Sequence, residues 1–401
     1  MAWYAVGASA AMLAVIMGML VNGLTAFVVP MGVTEGWARA DIAGINSFGL
    51  IGLAVGSVVM GFVTNRLSIR GICLLAASTM GTCLILASQV GSPWMLYMLF
   101  FLAGVFGGGT VFAPIFAYVG NSFPKAAGLA IGFAAAGQAV GQGGVPFLAA
   151  YLIESFGWRG AMFAFGCGTL AILPPLAFGM RQAPAPAPAT AAGSVGEAQL
   201  SPTVAVPVLA AAVFFCCTCM AVPLMHLMPL IQSLCISSTD AGGVMLAMLV
   251  AAIGGRIAYG KLCDTIGALR SWFVASALQT IGVLAFTQFT SPRGFMLFSI
   301  VYGFAYAGVM TSLLVATRAL TPARNKATWM GIVLSFAWLG HAFGGFQGAF
   351  AYDLTAGYGA GFAAGALAGA GNLALVGVLI WLTWPKAPPR HSRSNMLTQS
   401  P

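Results

Sequence analysis

The stretch "RQAPAPAPATAAGSVGEAQLSP", residues 181–202, decides how the rest of the chain reads. Alternating Ala and Pro favours extended polyproline geometry and holds no packed helix. On both sides the composition changes to long apolar runs separated by short polar turns. A span of lipid needs roughly 20 apolar residues. Six such runs precede the stretch, at about 8–30, 42–63, 72–90, 94–119, 126–150 and 160–179. Six follow it, at about 204–230, 241–260, 271–290, 294–318, 327–350 and 360–384. All are expected to be helices, because a lone segment in lipid must satisfy its own backbone groups. The organisation that follows is an N-terminal half (1–180), a linker (181–203), a C-terminal half (204–385) and a tail (386–401).

Composition supports this reading. Of 401 residues, 60% are hydrophobic and only 6% are charged. Soluble domains carry about 25% charged residues, so this chain cannot cover a water-facing surface. That excludes a soluble enzyme. The net charge of +9 lies between the apolar runs, with no zinc-finger spacing and no basic helix. It therefore speaks for loop orientation and against nucleic acid as a partner. The N-terminal apolar run lacks a positive flank and extends to about Pro30, longer than a signal-peptide core, so it reads as a retained first span.

Orientation follows from Lys and Arg. With both termini in the cytoplasm, 13 of the 16 basic residues fall at inner loops, inner helix ends or the tail. Only Arg39, Arg159 and Arg293 fall outside. Five of the seven acids, Glu35, Asp41, Glu154, Asp240 and Asp353, fall outside. The expectation is an integral protein of a cytoplasmic membrane, with lipid as a constant partner.

The chain also echoes itself. "GFVTNRLSIRG" (61–71) follows the second run, and "GKLCDTIGALR" (260–270) follows the eighth, starting 199 positions later (61 to 260). Six spans on each side of a linker, with paired turns, suggest two parallel repeats about an axis along the membrane normal.

Twelve spans, a central linker and paired loops resemble the major facilitator superfamily. Its G-x-x-x-D-R-x-x-x-R-like signature reads here Gly61, Asn65, Arg66 and Arg70, with Asn where Asp is usual. The second copy keeps Gly260 and Asp264 without the following Arg. Further stretches, "EGWARADI" (35–42), "NSFPKAAGLAIGFAAAGQAVG" (121–141), "FGWRGAMF" (156–163), "GRIAYGKLCD" (255–264) and "YDLTAGYGAGF" (352–362), look like the bacterial monocarboxylate branch, including the oxalate/formate exchangers. The resemblance implies an all-α carrier of small carboxylates working by proton symport or anion exchange. It also implies that an arginine on the eighth helix, matched here by Arg256, binds the substrate carboxylate.

The residues themselves bear on that expectation. Arg256 lies in an otherwise apolar run, where a central arginine costs about 2.5–3.5 kcal/mol on insertion scales. Two readings stand: it snorkels to the inner headgroups, or it faces a cavity between the halves, where its fork suits a carboxylate. Asp240 is expected to open and cap this helix. Gln138 and Gln142, four apart, share one helix face; they line a cavity or join neighbouring helices. Asn22 and Asn46 have the same two readings. Tyr302 and Tyr306 form another i,i+4 pair, read as aromatic packing or substrate contact. His341 lies too deep to snorkel and is a substrate or proton contact or a core histidine, whereas His226 reads mainly as an interface residue, with a proton contact as its other reading.

No Asp or Glu falls in the middle of a span, so a buried carboxylate is not the proton site. The cysteines, among them "CCTC" (216–219), read as small buried reduced thiols and not as a metal site. No phosphate-binding loop and no nucleophile–base set is present, so neither a catalytic residue nor a cofactor is expected. The alternative function is export of amphipathic drugs or metabolites on the same fold.

Overall fold

The structure is a computed structural model that describes residues 2–37, 39–63, 67–123, 125–180, 200–236, 238–321 and 326–384. Residues 181–199 of the linker, the tail, Asn65 and Arg66 lie outside the described residues.

Among the described residues eleven helices are long and apolar enough to cross a membrane. The longest, Ala127–Gly179, contains Gly157 at φ 71°, ψ 171°, a backbone geometry that breaks the helix. Its two ends lie at the same level. Gly128 packs on Gly260, while Met180 accepts a hydrogen bond from Arg70 Nε (3.4 Å) at the start of the third helix. The chain therefore reverses at Gly157, and this helix supplies two spans. The twelve spans are α1 (Trp3–Phe27), α2 (Gly44–Phe62), α3 (Ile69–Ala87), α4 (Pro93–Ser122), α5 (127–156), α6 (158–179), α7 (Thr203–Ser233), α8 (Asp240–Ile266), α9 (Ala268–Gln288), α10 (Pro292–Leu320), α11 (Thr328–Thr355) and α12 (Gly359–Thr383).

Glycine contacts show the internal repeat in three dimensions. In the first half Gly56 abuts the Val105 backbone and Gly104 abuts Gly49. In the second half Gly255 abuts the Phe304 backbone and Gly303 abuts Met248, each 199 positions on (56 to 255, 104 to 303). Gly137 and Gly141 of α5 press on Ala10 and Ala14 of α1, and Gly340 and Gly344 of α11 press on Phe214 and Thr218 of α7. There the shift from α5 to α11 is 203 (137 to 340). Without a hydrophobic force between helices in lipid, close backbone approach through small residues is what holds them together. A Cβ at these positions would enter a neighbouring backbone.

Two spans of the first half depart from α geometry. In α1, Gly18–Asn22 is π-helical and Gly23–Phe27 is 3₁₀. In α4, Ala103–Gly109 is π-helical. Such breaks leave carbonyls without their usual partners. Asn46 Nδ2 of α2 takes two of them, Leu20 O at 3.0 Å and Val21 O at 3.2 Å, so this amide is tied to backbone.

Two finer expectations change. The helix carrying Asp240 begins at Ser238, which puts Asp240 in its first turn and not at its cap. All eight cysteines are free; six are buried, while Cys167, expected to be buried, and Cys235 are exposed.

The end remote from the linker is pinned by Arg159. Its guanidinium pairs with Glu35 (3.0 Å), donates to Ser88 O (3.2 Å) and Val90 O (2.6 Å), and lies 4.3 Å over the Trp158 ring. One side chain thus joins the exit of α1, the α3–α4 turn and the α5–α6 reversal. The part-buried ion pair alone is worth about 1 kcal/mol, while the two carbonyl contacts add roughly 1–2 kcal/mol. Arg159→Met is therefore expected to lower the melting temperature in detergent more than Glu35→Gln does. Equal shifts would remove the carbonyl contacts from the account.

Candidate substrate-binding site

α5 and α8 approach each other closely because glycines face each other. Gly128 meets Gly260, and Gly132 meets the Arg256 carbonyl. This contact carries the Arg256 side chain across from the second half into the first. The guanidinium donates to Gln138 Oε1 at 3.0 Å and to Gln142 Oε1 at 3.4 Å. Arg256 is 3% exposed, so it faces the interior between the halves and does not reach the headgroups. Counted along the helices, Arg256 is 10 residues from Ile266 and Gln138 is 11 from Ala127, so both lie roughly 15 Å from the linker end.

The electrostatics are unusual. Among the described residues the one ion pair is Arg159–Glu35, so no described carboxylate neutralises Arg256. Two amide oxygens orient the fork and offer charge-assisted hydrogen bonds, but they carry no compensating charge. Arg256 Nε is buried without a partner. The Tyr306 hydroxyl of α10 lies beside the guanidinium. The cluster is a fixed cation with spare donors.

The other sequence candidates are distributed as follows. Tyr302 stacks on Tyr306 (centroids 5.4 Å apart, 15° between planes) and packs against Phe286 of α9 at 4.9 Å, within the second half. His341 is 3% exposed, and among the described residues no hydrogen bond holds its ring. Asn22 ends the π segment of α1, and its buried Oδ1 lacks a partner. His226 bonds Gly345 O at 2.9 Å, joining α7 to α11.

The loop residues fall into two groups. Arg70 braces α6 within its own half through Met180. Gly61, Gly260 and Asp264 instead lie on seams between halves. Asp264 Oδ1 accepts from Gly128 N (2.9 Å) and Oδ2 from Leu129 N (3.0 Å). Its charge caps the N-terminus of α5, where free N–H groups and the helix dipole favour an anion. On the opposite seam Gly331 packs on Ser57 and Gly61, and the Thr328 hydroxyl donates to Gly61 O. Sequence reading missed the third linker-end contact, Arg318 Nη2 to Asn121 Oδ1 at 2.8 Å. An arginine at the last turn of α10, among apolar neighbours, was the available signal. These contacts join the two halves at the linker end.

Asp264→Asn removes the charge at the α5 terminus, worth about 0.3–1 kcal/mol. The closed linker end should lose population about two- to fivefold. Spin labels at Lys125→Cys and Lys261→Cys, with Cys167 and Cys235 replaced, should then report a larger share of long distances. An unchanged distribution would exclude Asp264 as a latch.

The description "Major Facilitator Superfamily" belongs to the family model that matches residues 11–292 and again 208–399, together nearly the whole chain. The chain belongs to the Major Facilitator Superfamily. It is thus a membrane transporter by family, built on the two-half fold seen above. A solved superfamily structure, the proton:xylose symporter XylE, superposes with a TM-score of 0.77 at 15% identity, over 95% of each chain. The human organic anion transporter TETRAN superposes with a TM-score of 0.72 at 16% identity, over 94% of this chain and 99% of that one. At such identities the likeness is one of fold. Among curated superfamily-like relatives, an agnestins efflux protein from Paecilomyces divaricatus is 27% identical over 75% of this chain and 69% of its own. A gallate transporter from Pseudomonas putida is 28% identical over 35% of this chain and 31% of its own.

Proposed function

We propose that this chain is a secondary carrier of small organic anions, monocarboxylates or short dicarboxylates, working by alternating access. The observation that carries the reading is the buried, unneutralised guanidinium of Arg256, pinned by two glutamines from the other half. A carboxylate entering there supplies the missing charge and meets donors from both halves. Binding then changes the energy of the contact that opens and closes, which is what a carrier requires. The names gallate transporter and organic anion transporter among similar proteins agree with an anionic substrate.

In this reading the linker end is cytoplasmic, as the distribution of Lys and Arg demands. The contacts at Asp264, Thr328 and Arg318 are the cytoplasmic gate, and the state described is closed on that side. Residues 181–203 link the halves, and the basic sequence of 386–401 suits anionic lipid as a partner.

Export of amphipathic metabolites is the second reading, favoured by the fungal efflux relative. Proteoliposomes separate the two. Saturable uptake of labelled lactate, pyruvate, oxalate or formate supports the carboxylate carrier; transport of cationic dyes without any acid supports the exporter. Acceleration by an inward proton gradient assigns symport. Acceleration by internal unlabelled acid at equal pH assigns exchange.

A further inference from the structure

Two arginines reach from the second half into the first, and both are held by amides. Arg256 of α8 donates to Gln138 and Gln142 of α5, and Arg318 of α10 donates to Asn121 of α4. Arg318 is two residues from the end of its helix (318 to 320), roughly 3 Å from the linker end, where Arg256 lies roughly 15 Å in. A second fixed cation thus stands about 12 Å nearer the linker end than the first.

Its guanidinium is only partly engaged. Nη2 donates to Asn121 Oδ1 at 2.8 Å, while Nε is buried without a partner. Gly120 makes the room, since a Cβ there would overlap the guanidinium. Nε and Nη2 lie side by side and form a fork that grips a carboxylate with two parallel hydrogen bonds. One arm of that fork is idle, and the other rests on a neutral amide. Among the described residues no carboxylate pairs with Arg318. Asp264, the described acid of this end, directs both oxygens at Gly128 N and Leu129 N. The turns after α4 and α10 add Lys125, Arg324 and Lys326 to the sequence and no acid, a balance of charge that draws anions.

We propose that Arg318 is a second carboxylate site, an anion-operated latch on the cytoplasmic gate. An organic acid arriving from the cytoplasm takes the Nε–Nη2 fork and displaces the Asn121 amide, because a charged partner with two hydrogen bonds outweighs a neutral one with a single bond. Loss of that contact frees α4 from α10 and lets the linker end part. Cytoplasmic acid then speeds the return of the carrier, which favours exchange over one-way release. An acid at position 121 would lock the same contact; the amide keeps it releasable. The inference rests on the carboxylate reading of Arg256 and on the cytoplasmic placing of the linker end.

The test uses two full-length backgrounds in which the central site is disabled, Gln138→Glu and Arg256→Gln, so that binding at the gate is read alone. Pyruvate is titrated by calorimetry at pH 7 against chloride at equal ionic strength. Each background should bind pyruvate, and adding Arg318→Gln should abolish that binding. Asn121→Leu, and independently Asn121→Ala, remove the competing amide and should tighten it about tenfold, one hydrogen bond to a charged group. Asn121→Asp supplies the anion from within and should abolish it. Spin labels at Lys125→Cys and Lys261→Cys, with Cys167 and Cys235 replaced, should report a larger share of long distances when pyruvate is added to either background, and no such response in Asn121→Asp. No binding in the backgrounds, binding that survives Arg318→Gln in both, an affinity not raised by either Asn121→Leu or Asn121→Ala, or bound pyruvate with unchanged distances overturns the latch. Each of these leaves the Arg256 reading standing while wild-type uptake depends on Arg256. Uptake untouched by Arg256→Lys, or failure of pyruvate to bind the wild type as well, overturns both.

Discussion

Arg256→Lys should lower carboxylate uptake in proteoliposomes by about 10–100-fold, with little change in melting temperature. The charge is kept, so a role as a bare cation predicts almost no effect. The geometry is what is lost. The arginine fork reaches Gln138 and Gln142 with separate nitrogens and still leaves Nε free. A lysine has one nitrogen on a flexible stem. It either keeps the glutamines or turns to the substrate, and each charged hydrogen bond given up is worth about 1.5–3 kcal/mol. Uptake at the normal rate in the lysine variant would remove Arg256 from the site.

Gln138→Glu should have the larger effect, loss of nearly all uptake, about 100-fold or more by the energy of a buried charged pair. The new side chain is nearly the same size and sits where an oxygen already lies 3.0 Å from the guanidinium. It supplies internally the carboxylate that the substrate is proposed to bring. The protein should fold and melt no lower than the wild type, because an unneutralised buried cation gains a partner. Gln138→Leu removes the same amide without adding charge and should cost only about tenfold, one hydrogen bond to a charged group. Equal losses in the two variants would mean that Gln138 serves packing alone and that competition for Arg256 plays no part.

Much of this arrangement was legible before any coordinates. Twelve apolar runs divided by "APAPAP" read as two six-helix halves because lipid leaves the backbone no other choice than helix. The 199-residue echo between Gly61 and Gly260 survives in space as matched glycine contacts. Spacing alone put Gln138 and Gln142 on one face, but it could not say whether that face meets Arg256, the lipid or another helix. Asn46 shows the limit. Its sequence setting resembles that of Gln138, yet it spends its amide on carbonyls released by the π break in α1, which no local pattern announces. Gly157 is a similar case, one glycine among 53, whose positive φ becomes visible only when two helix ends are found at the same level.

The amino-acid order by itself determined the solvent, the number of crossings, the division into halves and the rarity of charge, since each depends on transfer from water to hydrocarbon, summed residue by residue. Which few polar side chains meet was decided only by the tertiary structure. Such meetings depend on helix rotation and on backbone approach at Gly128, Gly132 and Gly260, and these are set by packing between residues more than a hundred positions apart.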